Sequence, residues 1–120
     1  MKNINKFTHI LLIIGVLMVL FPSLTFAKVN IFACEPEWAA LSKDIGGDLV
    51  KISKATNAHQ DVHHIRAKPS LLSAMRRADL VFCSGSSLEI GWLPILMKKA
   101  AGPNVQQGAD GWLMASDYVR

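Results

Sequence analysis

The feature that most constrains this chain is a repeated unit: a short apolar run, then an amphipathic stretch opened by proline. Residues 29–34 (VNIFAC) and 79–83 (DLVFC) are compact apolar runs that read as strands, and between them Leu49, Val50 and Ile52 make another running to about Ala55. Pro36 and Pro69 follow the first and second in chain order, at positions where a first helical residue is favoured. Glu35 and Glu37 lie at the positive end of the first helix dipole. Trp38, Leu41 and Ile45 recur at helical spacing before Gly46 and Gly47 stop the run. Leu71, Leu72, Met75 and Ala78 do the same after Pro69, ahead of a third helical stretch within 88–101. Strands that are apolar throughout rather than alternating belong in a parallel sheet covered on both faces. The fold class expected is therefore α/β, in the order β-α-β-α-β-α-β, with the fourth strand opening at residues 103–105.

The amino-terminal segment departs from this pattern. Lys2 and Lys6 precede an apolar run over 10–21, interrupted only by Gly15, and residues 25–27 (TFA) follow. A positive start, about a dozen apolar residues and a small terminal residue make a secretory signal peptide of residues 1–27. The run is shorter than the ~20 residues a bilayer core requires, although an uncleaved membrane anchor is the alternative. The expected domains are the signal, 1–27, and one globular unit, 28–120, exported to an oxidising compartment.

Composition closes several routes. The chain has 120 residues, of which 51% are hydrophobic, too many for disorder. Its formal charge of +4 falls to +2 once Lys2 and Lys6 leave with the signal. No basic cluster remains, so nucleic acid is not an expected partner. Neither a glycine-rich phosphate loop nor a Gly-x-Ser-x-Gly elbow occurs, and no Ser–His spacing identifies a triad. Two cysteines, Cys34 and Cys83, are too few for a disulfide scaffold. Each ends a strand. The favoured reading makes them small buried hydrophobes, with a bridge as the alternative. Trp38, Trp92 and Met97 are read as packing residues.

The histidines carry the functional signal. His9 belongs to the signal segment, whereas His59, His63 and His64 share one polar connection after the second strand. Loops beyond the carboxyl ends of the strands are where open α/β sheets bind ligands. Neutral imidazole is the commonest metal ligand. An extended 63–64 dipeptide would point its two rings apart, leaving one as direct ligand. Asp61, Glu35, Glu89 and Cys34 are further candidate donors. A solvated polar loop without ligand is the plain alternative.

Six motifs along residues 28–120 then carry a resemblance. They are ACEPEW (33–38), IGGD (45–48), QDVHH (60–64), KPS (68–70), RADLV (77–81) and GSSLE with GWLP (85–94). In this order they resemble the amino-terminal lobe of the periplasmic solute-binding proteins of zinc and manganese ABC transporters. The resemblance implies one lobe of a two-lobed metal receptor. It places His63 at the family's first histidine ligand, with Val62 where the family has proline and His64 as the nearest substitute. Leu88 and Glu89 match a cleft-lining position.

The implied cargo is zinc or another divalent transition metal, captured without catalysis and delivered to an ABC permease in the inner membrane. Family members are two to three times longer, so a carboxyl-terminal lobe with the later ligands has no counterpart in these residues. The competing expectations are a truncated lobe without function of its own, and a small exported thiol-redox protein.

Overall fold

A computed structural model describes residues 26–119, together with residues 5, 6 and 9. The signal-peptide reading therefore falls largely outside the described residues. Four strands form one wholly parallel sheet: β1 (Val29–Ala33), β2 (Val50–Lys54), β3 (Leu80–Cys83) and β4 (Trp112–Met114). Their order across the sheet is β2-β1-β3-β4. Three helices connect them: α1 (Pro36–Gly46), α2 (Pro69–Arg76) and α3 (Leu93–Ala100), each with proline in its first turn. The expected α/β class and alternation are both present.

The period-two geometry of a strand sorts side chains onto two faces. Phe32 and Val81, register partners across β1 and β3, are fully buried in the core that Leu71 and Met75 of α2 share with Leu93, Leu96 and Met97 of α3. Phe82 turns the other way, with its ring centroid 4.7 Å from that of Trp38 on α1. Helix α1 thus covers β1 and β2 on one face, while α2 and α3 pack together on the other.

Two expectations need correction. Of the stripe Trp38, Leu41 and Ile45, only Trp38 packs toward the sheet. Leu41 and Ile45 are 41% and 79% exposed, whereas Ala39 and Ser42 are buried. Small residues bring the helix close to the sheet, and Leu41 and Ile45 face outward. Nor does a strand open at residues 103–105. That segment is a short 3-10 turn, Pro103–Val105, whose buried Val105 packs under the sheet. The fourth strand comes later, at Trp112–Met114, followed by a 3-10 turn over Ala115–Tyr118.

The strand order creates a switch point. After β1 the chain moves outward to β2, and after β3 it moves the opposite way to β4. The connections diverge between the carboxyl ends of β1 and β3, opening the crevice where such sheets accept ligands.

Candidate metal centre

The connection after β2 is tied down before it reaches its histidines. Thr56 sends both its backbone N–H and its hydroxyl to the carbonyl of Cys34, at 3.1 and 2.8 Å. Further on, the buried Trp92 donates its indole N–H to the Val62 carbonyl at 2.7 Å. Gly91 lies so close that a Cβ there would come within 2.8 Å of the His63 carbonyl oxygen. The loop is therefore laid against the start of the α3 segment, and Val62, Ile65 and Ala67 pack on the core.

Between these anchors, Asp61 caps a 3-10 turn, Val62–His64. Its Oδ1 accepts the backbone N–H of His63 at 2.9 Å. The same carboxylate meets both rings: His63 Nδ1 at 2.9 Å from Oδ1, and His64 Nδ1 at 2.8 Å from Oδ2. An ionised carboxylate only accepts, so each ring carries a proton on Nδ1, and in its neutral form each presents the lone pair of Nε2. Hydrogen bonds from His64, then from the backbone and ring of His63, hold the Asp61 carboxyl well below the usual carboxylate range.

The turn replaces the extended dipeptide expected from the sequence. Both imidazoles present Nδ1 to the one carboxylate, with centroids 6.5 Å apart and Nε2 directed away from it. Asp61 thus orients the rings. His59 stands apart from this arrangement: it is exposed, and its backbone N–H goes to Asn57.

At the switch point the remaining candidate donors form a separate cluster. Glu35 caps no helix N–H; its carboxyl turns instead toward Ser84, whose backbone N–H and hydroxyl donate to Oε2 at 3.2 and 3.1 Å. Glu89 accepts from the same Ser84 N–H at 2.9 Å and from Gly85 N–H at 3.2 Å. Both carboxyls are buried, at 4% and 3% exposure. Two buried carboxylates sharing a donor do not both ionise readily. Burial, then the hydrogen bond and charge of Glu89, push the Glu35 carboxyl up to about 7 against the lowering contacts of Ser84.

The loop that delivers these N–H groups is conformationally unusual. Gly85, Ser86 and Ser87 have φ of 81°, 52° and 71°, the left-handed region that side chains disfavour. Trp38 completes the cluster by donating its indole N–H to the Ser84 hydroxyl at 2.8 Å. Sequence reasoning had Glu35 and Glu89 as separate donors and missed Ser84, whose role depends on contacts 49 residues apart.

Beneath the two carboxyls, Cys34 and Cys83 form a disulfide. The reading of them as separate buried thiols is thereby corrected. The register that pairs Ala33 with Phe82 brings Cys34 beside Cys83 on the same sheet face, with Cα atoms 4.8 Å apart. That separation lies inside the range a disulfide bridges. Cys34 is consequently no thiolate donor in this state.

Known proteins match this sequence and fold. The family described as zinc-uptake complex component A, periplasmic (ZnuA), matches residues 31–116. The manganese ABC transporter substrate-binding lipoprotein scaA of Streptococcus gordonii is 30% identical over 77 residues, 62% of this chain and 25% of its own length. The metal ABC transporter substrate-binding lipoprotein ScbA of Streptococcus cristatus matches to the same extent. The chain thus spans about a quarter of the length of the curated relatives it matches. A crystal structure of ZnuA aligns with a TM-score of 0.54 and 27% identity, covering 68% of this chain and 33% of that one. The cadmium-bound periplasmic metal binding protein of Candidatus Liberibacter asiaticus shares the fold, with a TM-score of 0.56 and 20% identity over 73% of this chain and 30% of its own. With a family match across most of the chain and the same parallel sheet beneath it, this protein belongs to the ZnuA family of metal ABC transporter substrate-binding proteins.

Proposed function

We propose that this chain is the exported metal-capturing lobe of a zinc importer, taking the ion through Nε2 of His63 and His64 for hand-over to an ABC permease. The observation that carries the reading is the Asp61 carboxylate, which accepts Nδ1–H from both rings and leaves both Nε2 lone pairs free. A carboxylate behind a ligating imidazole fixes its tautomer and raises its basicity. Nitrogen donors suit zinc better than manganese, which prefers oxygen. Two imidazoles leave two of the four positions of zinc for water or for ligands on a facing lobe. The chain acts as a carrier without catalysis, and it works outside the cytoplasm, as the periplasmic and lipoprotein relatives do.

Zinc titration of the oxidised full chain by calorimetry tests this. One equivalent is expected to bind, and His63→Ala/His64→Ala should abolish the heat. Asp61→Asn should weaken affinity by about 10–100-fold, the usual cost of losing such a supporting carboxylate. Zinc binding unchanged by the double alanine variant would refute the assignment. So would an Asp61→Asn variant that binds as tightly as the parent.

A further inference from the structure

Among the described residues, the side chains that come together most nearly as a metal would require are not the histidines. They are Cys34, Cys83 and Glu89, whose ligand atoms all lie within 4.8 Å of one another. All three are buried, the cysteines completely and Glu89 to 3% exposure. We propose that, when the disulfide is open, Cys34, Cys83 and Glu89 form a second metal site, for a soft divalent cation such as zinc or cadmium, independent of the imidazole pair. This goes beyond the carrier reading, because it uses none of the residues that reading invokes.

Tetrahedral zinc holds thiolates at about 2.3 Å and carboxylate oxygens at about 2.0–2.2 Å. Ligand atoms around one ion then stand roughly 3.3–3.8 Å apart. Once the sulfur–sulfur bond is gone, the two sulfurs must move apart to reach that spacing, while Glu89 already lies within 4.8 Å of both. Glu89 is already positioned, because Ser84 and Gly85 N–H groups hold its carboxylate at 2.9 and 3.2 Å. A second buried carboxyl stands beside it: Glu35, which accepts from the same Ser84 N–H as Glu89. Two thiolates select zinc or cadmium over manganese.

The chemistry balances with a dithiol as reductant. Exchange transfers two electrons and two protons to the Cys34–Cys83 bridge, giving two thiols, and the dithiol leaves as its own disulfide. Binding of the cation then displaces both thiol protons to solvent. Two thiolates and one carboxylate around a dication leave a single negative charge, faced by the backbone N–H groups of Ser84 and Gly85. Disulfide and metal are mutually exclusive, so each opposes the other: the bridge masks the site, and the ion protects the thiols from oxidation.

The test uses the full chain carrying His63→Ala/His64→Ala, with the disulfide reduced by a phosphine under anaerobic conditions. Cadmium titration should give one equivalent and a thiolate-to-cadmium charge-transfer absorption. It should also raise the urea midpoint of the reduced chain. The oxidised chain and Cys34→Ser/Cys83→Ser should show neither effect, and Glu89→Gln should weaken binding by about tenfold or more. Cadmium should also slow closure of the bridge by a disulfide oxidant, read by alkylation and mass. A reduced chain that gives no charge-transfer band, that stays unfolded with cadmium present, or whose affinity ignores Glu89→Gln overturns the proposal. Because the histidines are absent from this variant, failure here leaves the imidazole assignment standing.

Discussion

Glu35 carries a carboxyl that the fold keeps protonated far above its ordinary range, from 4.5 to about 7, chiefly through burial and then through Glu89. Its neutral form is therefore the one that folding favours. Below the unfolded value both states are protonated and the contribution is fully present. As pH rises toward about 7 the unfolded chain releases its proton first, and stability is lost; above that the slope vanishes. The urea midpoint of the oxidised chain should accordingly fall between about pH 5 and 7. Glu35→Gln, which keeps the shape and removes the charge, should flatten that slope and raise the midpoint at alkaline pH. An unchanged slope in the variant would place the titrating group elsewhere. Asp61 behaves in the opposite sense. Its depressed carboxyl supports the fold above the ordinary aspartate range and loses that effect only in stronger acid.

At the scale of elements, the histidine turn owes its place to neighbours rather than to its own sequence. Residues 56–68 have neither helical nor strand period, and no local rule states where such a loop lies. Thr56 fastens one end to the carboxyl end of β1, and Trp92 fastens the middle to the α3 segment. Gly91 permits the approach, because any Cβ there meets the His63 carbonyl. Gly91→Ala must push the turn away or strain it. Overpacking of this kind costs about 1–3 kcal/mol. The expected outcome is a lowered urea midpoint, weakened zinc binding and an unaltered far-ultraviolet spectrum, since the sheet does not depend on the contact. Zinc affinity equal to that of the parent would show that the turn tolerates displacement. The same dependence on neighbours explains the misread face of α1. Helical spacing identifies a stripe but not which side meets the sheet. Here Ala39 and Ser42 make the close approach, leaving Leu41 and Ile45 outside.

For the whole molecule, the parallel sheet was legible because β1 and β3 are apolar runs and β2 carries Val50 and Ile52 between proline-opened helices. The fourth was not, since three residues, Trp112–Met114, carry too little pattern to stand out from a turn-rich stretch. His63 was legible through its motif and Asp61 only as a possible donor. The disulfide was open only as an alternative and the carboxyl pair was hidden, because both arise from the register between β1 and β3 across 49 residues. That separation also sets what the bridge does for the molecule. Joining ends 49 residues apart restricts the unfolded chain, and the loop-entropy relation puts the gain at about 4 kcal/mol. Cys34→Ala/Cys83→Ala should therefore lower the unfolding free energy by about 2–4 kcal/mol, measured by urea denaturation of the oxidised parent and the variant. The loss should be accompanied by faster amide exchange at Ser84 and Gly85, whose N–H groups serve carboxyls packed at the same junction. A loss below about 1 kcal/mol, with exchange unchanged, would mean that strand pairing alone holds β1 to β3. The bridge would then matter to this protein only through its redox chemistry.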